Sequence, residues 1–232
     1  DNLFADGKGG RAEIFALGVR NPFRMKVDAK TGRVWWCETG PDAKQDDPAK
    51  GPKGYDELNF ADTAGNYGWP FCIANNLPYG KFDFETEKSA GTYDCAAIVN
   101  DSPNIAKPVT LSPARPALVY YPYDDIAAFP AIDGGGPRTA LFAMIHRGAA
   151  QGVPPYFDGL PVFMDWSRSK VYAVHQREDG AVMAVQRVLT TVDLVQPIDM
   201  DVGVDGQLYV LEWGTGWEGN KGARLSRVQY KP

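Results

Sequence analysis

The residues best able to do chemistry are concentrated in one stretch. It runs Glu38-Thr39-Gly40-Pro41-Asp42, crosses an acidic and lysine-rich loop, continues as Gly54-Tyr55-Asp56-Glu57-Leu58-Asn59 and closes on Gly65-Asn66-Tyr67-Gly68-Trp69-Pro70. Gly and Pro release backbone carbonyls from strand pairing, while Asp and Glu add hard carboxylate oxygens. That donor set suits calcium, which takes about six to eight oxygens in flexible geometry. The spacing is not that of an EF-hand, and the same composition also describes a solvated, turn-rich surface loop.

Other candidate chemistry is thinner. The only histidines, His146 and His175, sit in strand-like runs far from paired cysteines, which argues against zinc. Cys72 and Cys95 bracket a polar excursion without strand pattern. They are either a disulfide stapling that loop or two buried thiols, and Cys37 lies in a core-like run. Gly134-Gly135-Gly136 lacks the strand and helix context of a phosphate cradle. Trp213 and Trp217 sit together on an exit loop, as carbohydrate-stacking or as packing aromatics.

The elements that must position these residues are strands. Runs of five or six residues rich in Val, Tyr, Phe and Trp recur from Phe23 to Tyr230, bounded by Gly, Pro or Asp. Asp179-Gly180 and Asp205-Gly206 are hairpin turns between them. The stretch Asn21-Pro22-Phe23-Arg24-Met25-Lys26-Val27, running on to Trp36-Cys37-Glu38-Thr39-Gly40, is echoed by Gln196-Pro197-Ile198-Asp199-Met200-Asp201-Val202, running on to Leu211-Glu212-Trp213-Gly214. Each copy reads strand, tight turn, strand, then an exit loop, which is half of a four-stranded propeller blade. The expectation is an all-β chain forming one partial β-propeller domain over residues 1–232, with a long loop insertion at about 71–116. The strands suffice for three blades, so a partner chain or a missing N-terminal half must close the ring.

Net charge is -5 with no basic cluster, which disfavours nucleic acid and anionic membranes as partners. No apolar run reaches the roughly 18 residues needed to span a bilayer. The chain opens on Asp1 without a signal-like segment and reads as mature, processed or excised from something longer.

Leu17-Gly18-Val19-Arg20-Asn21-Pro22, Glu38-Thr39-Gly40-Pro41, Tyr55-Asp56-Glu57-Leu58-Asn59 and Gly65-Asn66-Tyr67-Gly68-Trp69-Pro70 occur in this order. Together they resemble the soluble quinoprotein glucose/sorbosone dehydrogenase family, secreted or periplasmic sugar dehydrogenases that depend on pyrroloquinoline quinone (PQQ). The likeness is strong from Glu13 to Pro70 and looser from Leu160 to Tyr230. It implies the C-terminal half of a six-bladed propeller with the quinone over the central axis. It further implies that Arg20 contacts the reactive quinone carbonyl, with Asp56 near it as the second catalytic group. Asn21, Thr39 and Thr139 would touch the cofactor, with Arg138 replacing a lost charge. The carbonyls of Gly40 and Pro41 would hold the quinone's calcium, and Glu57 and the Tyr67 carbonyl a structural calcium.

The chain departs from that pattern where cations are expected. Ser167 stands near the place of a cofactor-binding lysine, beside Arg168, and Gln196 and Ile198 stand at paired arginines; the base histidine of the family lies outside this chain. The function implied is part of a PQQ- and calcium-dependent dehydrogenase that oxidises an aldose or polyol by hydride transfer. Two rivals remain: a non-catalytic carbohydrate-binding propeller of an extracellular polysaccharide-processing protein, and a calcium-dependent lactonase-type hydrolase.

Overall fold

A computed structural model describes residues 1–216 and 220–230. Three antiparallel sheets stand side by side as blades of a partial propeller. Blade I runs, from inside outward, through Pro22–Val27, Val34–Glu38, Asp56–Ala61 and Val119–Tyr121. Blade II comprises Ala140–Ile145, Pro161–Asp165, Lys170–Gln176 and Val182–Val188. Blade III has three strands, Pro197–Val202, Leu208–Glu212 and Arg224–Val228. The inner strand of blade II lies against the inner strands of both neighbours, so the three converge on one axis. Among the described residues the only helical element is the single 3-10 turn Pro155–Phe157, and no helix is long and apolar enough to cross a membrane.

Blade II is covered on both faces, which is why its strands read as almost unbroken apolar runs. Alternation sends Phe142, Phe163, Tyr172 and Val174 toward Trp35, Cys37, Leu58 and Tyr121 of blade I. Their neighbours Leu141, Val162, Met164 and Val171 pack instead on Met200, Leu208 and Val210 of blade III. The free face of blade I leaves Phe23, Met25 and Val27 between 55% and 62% exposed.

The internal echo is a structural repeat. Both copies form the first two strands of a blade, and both kink in register between the same two positions, Pro22/Arg24 and Pro197/Asp199. Residues 71–116 connect the third and fourth strands of blade I. They hold short ladders, including Gly80–Asp83 against Lys88–Thr92, where the sequence showed no strand pattern. Cys72 and Cys95 are joined in a disulfide within this excursion, and Cys37 is a buried free thiol.

Candidate functional site

Strand alternation divides the acidic stretch into two sites. Asp56 and Glu57 are consecutive in one strand, so their side chains leave opposite faces of blade I. Asp56 points toward blade II and is fully buried. It accepts the backbone N–H groups of Gly40 (2.9 Å) and Ala140 (2.7 Å), and Arg138 stands 3.3 Å away. Burial pushes the Asp56 carboxyl up to about 7, against the pull of Arg138. Arg138, itself buried, also donates to the Pro41 carbonyl at 2.8 Å and lies over the Tyr123 ring. Asp56, expected near Arg20, and Arg138, expected near a cofactor, pair with each other and tie blade I to blade II. Close packing explains the glycines here. A Cβ at Gly40 would stand 1.8 Å from the Tyr55 carbonyl, and one at Gly54 would stand 1.7 Å from that of Pro41.

Glu57 emerges on the other face, directly across the ladder from Glu38. Like charges in that position repel. Glu38 accepts from Trp36 Nε1 and Asn59 Nδ2, each at 3.2 Å, and from the Arg20 backbone N–H at 2.6 Å. Glu57 accepts from Asn59 Nδ2 at 3.0 Å and from the Ala74 N–H at 2.5 Å. Burial, reinforced by Glu38, pushes the Glu57 carboxyl up to about 8, and burial raises Glu38 as well. Between them lies a cavity of about 10 Å³, bordered also by Arg20, Gly40 and Tyr67, which is the room one small ion or water occupies. Arg20 offers Glu38 its backbone only; its guanidinium donates to the Thr39 carbonyl (2.7 Å) and lies 5.5 Å from the Trp69 ring centroid. The strap carrying Tyr67 is held by backbone bonds from Tyr67 and Trp69 to Leu17 and Gly18. Among the described residues no three His, Cys, Asp or Glu side chains are placed to share a metal, so a cation here would draw on two carboxylates and backbone oxygens.

A second, larger cavity of about 470 Å³ lies where the inner strands begin. Equivalent positions of the blades build it. The second residue of each inner strand contributes Phe23, Leu141 and Ile198, and the residue after each second strand contributes Thr39, Trp166 and Trp213. Each of the latter donates its backbone N–H back to the start of its own blade, to Asn21, Thr139 and Gln196 respectively. Asn21 and Thr139 complete the lining.

These features sit within a chain whose likeness to known proteins is uneven. Residues 1–109 match the family model described as Glucose / Sorbosone dehydrogenase. The resemblance read from the motifs holds there. Aldose sugar dehydrogenase YliI of Escherichia coli is 32% identical over 109 residues, a match covering 46% of this chain and 26% of that protein. The whole chain superposes on a glucose dehydrogenase structure from Thermus thermophilus with a TM-score of 0.57 at 22% identity, covering 97% of this chain and 50% of that one. On the soluble aldose sugar dehydrogenase of E. coli the TM-score is 0.55 at 22% identity, covering 99% and 51%. The chain thus spans about half the length of those solved structures.

Of the residues expected at the site, Asn21, Thr39 and Thr139 gather at the axial cavity, while Arg20, Glu57, Gly40 and Tyr67 gather at the smaller one. Pro41 presents its carbonyl to Arg138. Glu38 was read only as part of the acidic stretch, because its cross-strand pairing with Glu57 needs register, and Phe23, Leu141, Trp166 and Ile198 were missed because they read as ordinary strand and turn residues. Trp213 lines the axial cavity, whereas Trp217 lies outside the described residues. His175 meets the Tyr156 hydroxyl at 2.8 Å on the outer part of blade II, and neither histidine lines either cavity.

Proposed function

We propose that this chain is part of a calcium- and quinone-dependent dehydrogenase that oxidises an aldose or polyol. The observation that carries the reading is the buried Glu38–Glu57 pair, two opposed carboxylates at an ion-sized cavity inside the segment that matches sugar dehydrogenases. Calcium fits this donor set, with the Tyr67 and Gly40 segments supplying carbonyls. Because Glu38 also accepts the Arg20 N–H, a cation held there fixes the Arg20–Asn21 turn next to the axial cavity. Arg20 and Asn21 then offer hydrogen-bond donors where negative charge would develop on a ring carbonyl.

A quinone, when bound, supplies the acceptor for the hydride leaving the sugar's carbinol carbon; PQQ is the form the sequence resemblance implies. The axial cavity fits a flat ring and its carbonyl edge, but among the described residues no lining residue is ionisable, so the lining this chain supplies does not match the three carboxylates of PQQ. The base that takes the hydroxyl proton, and the blades that cover Phe23, Met25 and Val27, are assigned to the rest of the propeller. The Cys72–Cys95 disulfide supports a secreted or periplasmic location.

The test is turnover by the complete protein on a panel of aldoses and polyols, with calcium, supplied quinone and a dye acceptor. Dye reduction should require calcium and fall about a hundredfold in Arg20→Ala. Absence of turnover on every sugar sinks the oxidoreductase reading. Sugar retained without turnover would leave a carbohydrate-binding propeller, and calcium-dependent lactone cleavage a hydrolase.

A further inference from the structure

We infer that the axial cavity takes an uncharged quinone ring as its acceptor, in preference to a carboxylated one; the inference rests on the dehydrogenase reading above. Among the described residues, the lining this chain supplies carries no charge: Asn21, Thr39 and Thr139 are its polar groups, and Phe23, Leu141, Ile198, Trp166 and Trp213 supply the rest.

The cations nearby are committed elsewhere. Arg138 is buried on Asp56 and the Pro41 carbonyl. Arg168 is nearly buried, donating to the carbonyls of Asp133, Pro137 and Pro122 beside Asp165. Arg24 donates to the Ile198 carbonyl and pairs with Asp199. Arg20 is held by the Thr39 carbonyl and lies over Trp69, beside the smaller cavity.

A tricarboxylate entering such a pocket would lose hydration without gaining ion pairs, which is costly. A neutral ring loses little and gains flat aromatic contact. The chemistry balances: the sugar's CH–OH becomes C=O, its hydride and one proton reduce the quinone to the quinol, and both electrons leave with the hydride.

The test measures binding of duroquinone and of PQQ to the complete calcium-loaded protein, by calorimetry and tryptophan fluorescence, at low and high salt. Duroquinone should bind more tightly than PQQ, with an affinity that salt leaves unchanged. Trp166→Ala should weaken it about tenfold while Trp166→Phe, which keeps a flat ring, restores it. Tighter, salt-sensitive binding of PQQ would overturn the inference and leave the dehydrogenase reading intact. Failure of both quinones to bind, with a methyl glucoside still retained, would overturn both.

Discussion

In blades I and III the second strand ends on a glutamate in the same structural position. Glu38 takes the Arg20 backbone N–H at 2.6 Å, and Glu212 takes that of Val195 at 2.6 Å. Each is buried, and each faces a cross-strand partner in the next strand. The partners differ. Glu212 faces Arg224, which donates to it through Nε at 2.8 Å and Nη2 at 3.0 Å, with Ser226 donating as well. Glu38 faces Glu57. Burial pushes both glutamates upward, but in blade III the Arg224 and Ser226 hydrogen bonds outweigh it and hold Glu212 below its usual range; in blade I the net shift is upward. One repeat unit therefore carries its own counter-ion, and the other pairs two acids, the feature on which the proposed calcium site rests. The difference lies in the third strand, where Arg224 and Ser226 of blade III stand where blade I has Glu57 and Asn59.

The largest effect that would break this comparison is the response to metal. Calcium added to the metal-free protein at about 100 to 1,000 times its Kd should raise stability by ~3–4 kcal/mol, read as a higher Tm. Glu57→Ala should abolish that rise; an unchanged rise would place the ion elsewhere. Next, neutralising the two glutamates should act with opposite signs in metal-free protein. Glu57→Gln relieves a buried like-charge pair and should stabilise by about 1–2 kcal/mol. Glu212→Gln removes charged hydrogen bonds and should destabilise by about 2 kcal/mol in denaturant melts. Equal signs would show that blade III is no control for blade I.

The gentlest test is pH. The folded-state value of Glu57 lies above its unfolded value, so its contribution is full below about 4.5 and is lost as pH rises toward about 8. Calcium should remove that loss. Glu212 is depressed, so its contribution holds above the ordinary glutamate range and fades as acid titrates the folded carboxyl. Melts across this range, with and without calcium, should show the two slopes, and Glu57→Gln should reduce the alkaline one, leaving the part due to Asp56, while the acid one stays unchanged.

How legible this was in the sequence varies by residue. The repeat around Pro22 and Pro197 was readable because a blade's inner strands need the same kink, turn and exit loop in each copy, and those requirements fall on fixed residue types. Asn21, Thr39 and Thr139 were named together through the family resemblance, and the structure gathers them because each sits at a blade's start or exit. The roles of Asp56 and Arg138 were not readable. Neighbours in a strand face opposite ways, and only the packing of blade II against blade I shows which face Asp56 occupies. Glu38 was hidden for a related reason, since its meaning comes from register with a strand that begins 18 residues later.

By itself, then, the sequence determined an all-β repeat with an acidic, carbonyl-rich segment in its first blade, because alternation, turn residues and oxygen donors are local properties. Tertiary structure decided which carboxylates face a cationic partner and which face another acid, because that depends on cross-strand register and burial. It also decided that the described lining of the axial cavity is uncharged, because the guanidinium groups of Arg24, Arg138 and Arg168 are held by carbonyls and acids of neighbouring strands and loops.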